Sequence, residues 1–401
     1  MLSPYADILR VAGARAFVGA GLVARLPLAM LGLGTVLLIT GATDSYGLAG
    51  AVSATIAISN AIGAPQLGRL VDRFGQRRVL LPAMVVQTTG LLALVVAAAS
   101  DVPHAFYFVA AAVTGASMTS FGALVRSRWA TLLQGERLQT AYALESVLDE
   151  LVFTCGPVLV TLLATAITPA AGLLAALGFL LAGGVAFAAQ RATEPPVHPH
   201  HERGGSAIRA RGLLVLALVM AGVGGVFGTV EVSMVAFAEQ HGHEALSGPL
   251  LALHAVSSGV AGVLYGARVW RAGLERRLAV ALGLLFLGTI PLALANSIGL
   301  MVLAIVASGV SVSPTLITSF ALVEALVPRA ALTEGFAWLS TSLGGGLAIC
   351  LAVAGHVVDA SSGHRAFVVA IGASLLSVTV ALAGRRQLRP AQAAEPAPAP
   401  A

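Results

Sequence analysis

Twelve apolar stretches, most of them near twenty residues long, recur between Ala16 and Gly384. A helix rises about 1.5 Å per residue, so each stretch matches the roughly 30 Å hydrocarbon layer of a bilayer. Composition agrees, since 57% of the 401 residues are hydrophobic and only 10% are charged, with a mean hydropathy of +0.90. Ordinary soluble domains carry about a quarter charged residues, so a water-soluble core is excluded. The chain is read as an all-helical, polytopic membrane protein. Its spans fall at 16–41, 46–66, 79–100, 104–126, 140–164, 168–190, 212–238, 246–267, 278–295, 298–325, 333–356 and 365–384. The first stretch is too long and too well continued to be a cleaved signal peptide, and reads as a retained helix.

The formal charge of +5 and the isoelectric point near 9.9 do not point to nucleic acid, because no basic cluster sits on a solvated domain. Topology explains them better. With the N-terminus in the cytoplasm, all of the 23 basic residues except Arg25 and Arg365 fall on the cytoplasmic side. The positive-inside rule then puts both termini in the cytoplasm and the chain in the cytoplasmic membrane. All 23 are arginines, a bias read as compositional. Cys155 and Cys350 fall inside expected helices, as small packing residues rather than a disulfide framework.

The largest break in the apolar pattern is "RATEPPVHPHHERGGSAIRAR", residues 191–211, which is too polar to span. It divides the chain into an N-terminal six-helix bundle (1–190), a cytoplasmic linker (191–211) and a C-terminal six-helix bundle (212–384). A proline-rich tail (385–401) follows and is expected to be disordered. His198, His200 and His201 are interrupted by proline in this linker and are not read as a metal site.

The two bundles carry related sequences. "GRLVDRFGQRR" from Gly68 has a counterpart in "GARVWRAGLERR" from Gly266, each after the second span of its half. Likewise "LQTAYALES" (Leu138–Ser146) opens the fifth span much as "LTEGFAWLS" (Leu332–Ser340) opens the eleventh. A duplicated six-helix unit is the natural reading. The first loop resembles the cytoplasmic motif of the major facilitator superfamily, G-x-L-a-D-r-x-G-r-k-r, through Gly68, Leu70, Asp72, Arg73, Gly75, Arg77 and Arg78. Gln76 stands where that motif has a basic residue. The resemblance extends over nearly the whole chain. It implies two pseudo-symmetric six-helix bundles that rock about a central cavity and a loop that locks the outward-facing form.

Elementary chemistry gives that loop the same role. Two glycines allow a tight turn and close helix approach, and Asp72 can pair with an arginine or face a helix N-terminus. The plainer reading leaves these charges as topology determinants. In the second copy Trp270 stands where Asp72 does in the first, which makes any latch there weaker.

A charge at the bilayer centre costs about 2.5–3.5 kcal/mol on insertion scales, so each one needs a reason. Arg25 lies roughly 15 Å into the first span, beside Pro27. The fifth span, "AYALESVLDELVFTCGP", carries Glu145, Asp149 and Glu150. Glu145 and Asp149 share one helix face, while Glu150 is turned by about 100°. The resemblance makes the first and fifth spans neighbours, so an ion pair of Arg25 with Asp149 or Glu150 is expected. These acids either fix helix packing or take part in substrate or proton binding. In the second half, Glu231 and His254 are placed to meet at similar depth, as a proton relay or a satisfied pair. Tyr142, Asn60 and Gln87 are read as interhelical hydrogen-bonding residues or cavity lining.

Gly156-Pro157 in the fifth span resembles the glycine-proline pair of drug/proton antiporters in that superfamily. Val152 and Val160-Thr161 stand where that motif has glycine. A kink is expected at Pro157. The fourth span lacks the mid-helix arginine of another export motif, since its basic residues, Arg126 and Arg128, come near the cytoplasmic end. Together these features imply a monomeric secondary transporter, with proton-coupled efflux of a small organic solute as the leading expectation. Proton symport of a sugar, peptide or organic acid is the second, with Arg25 able to bind an anionic solute if nothing else neutralises it. A transporter-like sensor or scaffold is the third. No phosphate-cradling glycine loop, H-E-x-x-H pair or nucleophile elbow occurs, so no enzyme, cofactor or metal is expected.

Overall fold

The computed structural model describes residues 3–100, 102–197, 206–243, 246–360 and 363–389. Long apolar helices dominate because a chain in lipid must satisfy its backbone groups within each segment. A short helix, α1 (Ser3–Leu9), precedes the first half, which comprises α2 (Ala14–Thr43), α3 (Tyr46–Phe74), α4 (Gln76–Ala98), α5 (Ala105–Ala116), α6 (Phe121–Leu132), α7 (Gly135–Ala166) and α8 (Ala171–Ala189). The second half comprises α9 (Arg211–Gln240), α10 (Ser247–Gly266), α11 (Leu274–Leu294), α12 (Ile298–Gly309), α13 (Val312–Leu326), α14 (Leu332–Ala360) and α15 (Gly363–Ala383). Serines start three of them: Ser45, Ser120 and Ser297 accept the backbone N–H of Leu48, Ala123 and Leu300, filling orphan donors of the first turn.

These helices supply 12 segments long and apolar enough to cross a membrane. The fourth span is interrupted between α5 and α6, and the tenth between α12 and α13. The two breaks fall at equivalent places in the halves, as a duplication requires. In the first half α2 packs on α7 and α8, and in the second α9 packs on α14 and α15. Between the halves α3 meets α14, and α7 meets α10 and α13.

All loops that join the second span to the third, the fourth to the fifth, and the sixth to the seventh open on one side, called here the linker face. Both described ends of the chain lie there too. The tail departs from the sequence expectation over its first residues. Leu388 is buried, and the Gln387 carbonyl lies close over Gly212.

The second, fifth, eighth and eleventh spans are only 33%, 17%, 28% and 22% buried, whereas the outer third, sixth, ninth and twelfth reach 44%, 50%, 44% and 39%. Spans at an interface between bundles should be the better covered ones. Their exposure therefore marks a cleft between the halves. Among the described residues every hydrogen bond between the halves lies on the linker side of that cleft, the deepest being at Glu150. The molecule is closed on the linker face and parted toward the opposite one.

Candidate functional site

Helix α7 begins at Gly135, earlier than the apolar pattern indicates, because the polar run "GERLQ" continues the helix toward the linker face. Glu145, Asp149 and Glu150 consequently sit 10 to 15 residues along a helix of 32, about halfway. Arg25 of α2 meets two of them. Its Nη2 donates to Glu145, and its Nη1 donates to Asp149 at 3.0 Å. Glu145 also accepts the Trp129 indole N–H at 2.9 Å. Of the two partners expected for Arg25, Asp149 is the one it meets, with Glu145 added: four residues separate Glu145 from Asp149, so those two share the face toward α2, and Glu150 does not.

Arg126, on α6, completes the cluster that the sequence left incomplete. Its Nη2 donates to Asp149 at 2.6 Å, and its guanidinium lies 3.8 Å from the centroid of Phe320 in the opposite half. Counting two arginines against Glu145 and Asp149, the cluster is neutral. Arg25, Arg126 and Glu145 are almost wholly buried, while Asp149 keeps 28% of its side chain exposed. Just below, Phe336 of α14 meets Tyr142 edge-on at 6.0 Å and Phe320 at 6.1 Å, an aromatic layer that seals the floor of the cleft. Tyr142 is fully buried, and its hydroxyl has no hydrogen-bond partner among the described residues. Gln87 is buried and Asn60 half-buried.

Glu150 faces the second half. Its Oε1 accepts from the hydroxyls of Ser258 on α10 and Ser313 on α13, the latter at 3.1 Å. Its Oε2 has no hydrogen-bond partner, and no cation pairs with it, among the described residues. One turn along α10 from Ser258, buried His254 approaches the Ser308 hydroxyl at 3.4 Å and the edge of Phe227 at 6.2 Å. Glu231 does not meet His254, contrary to expectation. It is exposed, one turn beyond Phe227 on α9. Phe227 faces α10, and Gly228 on the same side faces α14, so Glu231 looks into the cleft between them.

At the linker face Asp72 takes the helix-terminus option rather than an arginine. Its two oxygens accept the backbone N–H of Thr333 at 3.2 Å and of Glu334 at 2.9 Å, at the start of α14. Gly68 lies against the same turn, where a Cβ would stand 3.0 Å from the Glu334 Cα. Gly75 turns the chain with a φ of +91°, and the Arg77 backbone N–H that follows donates to Glu194 at 3.0 Å. Among the described residues Arg73 and Arg78 do not bridge the halves; Arg73 lies over its neighbour Phe74. The bridging arginine is Arg69, which donates to Glu334 at 3.0 Å. Glu334 also accepts from the linker, through the Ser206 hydroxyl and the Ala207 N–H.

The second copy of the loop latches differently. The Thr140 hydroxyl donates to the Gly266 carbonyl at 2.9 Å, and Arg277 donates to Gln139 at 2.8 Å. Trp270 packs on Tyr265 instead of capping a helix. Helix α1 adds a bond, from the Tyr5 hydroxyl to the Val263 carbonyl at 2.8 Å. Burial pushes the Tyr5 phenol up to about 12.

Gln76, the departure from the motif, has a structural partner. Its Oε1 accepts from Arg128 Nε at 2.7 Å, and its Nε2 donates to the Leu124 carbonyl at 3.0 Å. Arg128 is fully buried, lies 3.8 Å over Phe187, and donates as well to Thr193 Oγ1 and to the Gln190 and Phe187 carbonyls. Helix α7 passes through Pro157 without interruption, and Gly156 provides close approach to Ala29. Cys155 and Cys350 are free thiols. His198, His200 and His201 lie outside the described residues.

Arg69, Arg126, Ser258, Ser313 and Glu334 are functional candidates that sequence reasoning missed. One signal was available: in "FGALVRSRWATL" Arg126 and Arg128 stand two apart and point to different sides of a helix, so each needs its own buried partner.

The sequence pattern of the Major Facilitator Superfamily matches residues 16–307. No curated protein matches in sequence. Among solved structures, a bacterial homologue of the iron transporter ferroportin in an outward-facing state aligns with a TM-score of 0.73 at 17% identity, over 93% of this chain and 99% of that one. The human organic anion transporter MFSD10 (TETRAN) gives 0.71 at 17% identity, over 92% and 98%. The E. coli fucose:proton symporter FucP gives 0.66 at 13% identity, over 93% and 99%.

Proposed function

Because the chain belongs to the major facilitator superfamily, and is thus a multi-pass secondary transporter, we propose that it exports a small organic solute in exchange for protons, with Glu150 as the proton-carrying group. The observation that carries this reading is the setting of Glu150. It is a half-buried carboxyl at mid-membrane depth, with one oxygen engaged by Ser258 and Ser313 of the opposite half and the other without a partner among the described residues. A buried carboxylate lacking a cation is costly to keep charged. The open oxygen is where a proton fits.

Two of the structural neighbours are named for an organic anion and for fucose with a proton, yet identities below 25% carry the fold alone. The charge inventory supports a cationic or neutral solute. Arg25 and Arg126 are already paired with Glu145 and Asp149, so neither is left for an anion. Glu150 and Glu231 face the cleft without an ion pair among the described residues. Read with the arginine-rich linker face in the cytoplasm, the molecule stands outward-facing. Rocking would part α7 from α10 and α13 and carry Glu150 from one side to the other. A cation arriving at that carboxylate would displace its proton, which couples the two fluxes.

Reconstitution in proteoliposomes with an imposed pH gradient tests this. Gradient-driven accumulation of an organic cation such as tetraphenylphosphonium is expected in the wild type and absent in Glu150→Gln, which should still exchange solute down its own gradient. Accumulation by Glu150→Gln at the wild-type level would sink the assignment of the proton.

A further inference from the structure

Arg77, Arg78 and Arg191 line a recess of about 600 Å³ on the linker face, between the start of α4 and the chain leaving α8. Small-molecule sites run from about 300 to 1,000 Å³. Among the described residues none of these arginines forms an ion pair. The one carboxylate in the lining, Glu194, accepts from the Arg77 backbone instead. Three cations and one anion leave the recess positive, and it lies at the N-terminal, positive end of α4.

Its rim is apolar. Phe74 and Val197 line it and stay 43% and 45% exposed. About two turns farther along α4, Val85 and Val86 are 65% and 47% exposed, on a helix long and apolar enough to cross the membrane. The recess thus stands at the level where a charged headgroup meets its acyl chains, with arginines for the one and an open helix face for the other.

We propose that this recess binds the headgroup phosphate of an anionic phospholipid, with Arg78 and Arg191 on the phosphate oxygens and the exposed face of α4 against an acyl chain. Arginine pairs with phosphate through two parallel donors, and basic pockets between membrane helices select anionic headgroups. The site is separate from the cleft and holds whichever solute is carried. It shares Gly75 with the turn that follows Asp72, so an occupied recess braces the latch.

The test uses full-length protein in nanodiscs of phosphatidylcholine alone and of phosphatidylcholine with phosphatidylglycerol. The lipid mixture is expected to raise the unfolding midpoint, and native mass spectrometry to find phosphatidylglycerol retained. In Arg78→Gln/Arg191→Gln the midpoint shift should vanish and retention weaken about thirtyfold, roughly fivefold for each lost surface arginine. A control pair outside the recess, Arg385→Gln/Arg386→Gln, should behave as wild type. An equal midpoint in both lipid compositions, or equal losses in both double variants, would overturn the site. Soluble inorganic phosphate added to phosphatidylcholine discs should leave the midpoint unmoved; a shift as large as the lipid's would overturn the assignment to a lipid.

Discussion

Asp72 of the first half accepts the backbone N–H of Glu334 of the second half at 2.9 Å. A carboxylate on a helix N-terminus is stabilised by the unpaired N–H groups and the dipole, together worth about 1–2 kcal/mol. Because α3 and α14 belong to different halves, that energy exists only while the linker face is closed. Asp72→Asn, which keeps one of the two acceptor oxygens and loses the other together with the charge, should shift the conformer ratio toward the open linker face by about fivefold or more, and Asp72→Ala further still. Spin-label distances across the linker-face ends of α3 and α14 measure this. An unchanged distribution would reduce the loop to a topology signal.

Gly68 sets how closely α3 approaches α14. A Cβ there would stand 3.0 Å from the Glu334 Cα and 3.1 Å from its backbone nitrogen. Those are backbone atoms and cannot swing aside. Gly68→Ala should therefore part the two helices by a fraction of an ångström, lengthen both Asp72 bonds and open the linker face about as far as Asp72→Asn does. Gly50, whose added Cβ would meet nothing within 4 Å, is the matching control, and cysteine accessibility at the linker face is the readout.

The fold was legible because lipid enforces it: twelve apolar runs admit few alternatives to twelve helices. Asp72, Gly68 and Gly75 were legible through the loop motif. Helix periodicity put Glu145 and Asp149 on one face, and the family resemblance put that span beside Arg25; that Glu145 is itself a partner of Arg25 was not legible. What escaped was partnership across the chain. Nothing local ties Arg126 to Asp149 or Glu150 to Ser258, 108 residues away, since serine in a membrane helix is common and its partner depends on how the halves meet. The pairing of Glu231 with His254 failed for a related reason. His254 meets Phe227, one turn from Glu231, and the side of α9 that Glu231 occupies is fixed by the packing of α9 on α14.

Arg25 and Glu145 are both buried to within a few per cent. Removing one partner strands the other as an uncompensated charge, an effect of about 3–5 kcal/mol, whereas replacing both with apolar groups is close to neutral. Arg25→Met and Glu145→Leu alone should each lower the unfolding midpoint in detergent sharply. The double variant should recover most of the loss, although Asp149 then relies on Arg126 alone. Additive losses in the double variant would mean that the two residues do not act as a pair.

Tyr5 ties α1 to the second half through the Val263 carbonyl. Burial raises its phenol to about 12, above the value near 10 of an unfolded chain. The stabilisation it gives is thus complete below about pH 10 and is lost as pH rises through about 12. Tyr5→Phe should cost about 1 kcal/mol of closed-state stability, equally at pH 6 and pH 9. A pH-dependent difference within that range would contradict the buried, protonated donor.

Gln76 and Arg128 form the test of why this chain departs from the superfamily loop. Arg128 spends its donors on Gln76, Thr193 and two carbonyls at the end of α8, and no carboxylate touches it among the described residues. A basic residue at position 76 would face that guanidinium across the 2.7 Å now spanned by a hydrogen bond. Gln76→Arg, although it restores the motif, should therefore be strongly destabilising, on the order of 3 kcal/mol or more. Arg128→Gln should also be harmful, because it frees Gln76 and the start of the linker together. Combining the two moves the cation to the other side of the same contact and should regain about 1–3 kcal/mol as a coupling energy. Thermal unfolding of the four proteins in one detergent supplies the cycle. A coupling near zero would leave Gln76 without a role in the absence of the basic residue.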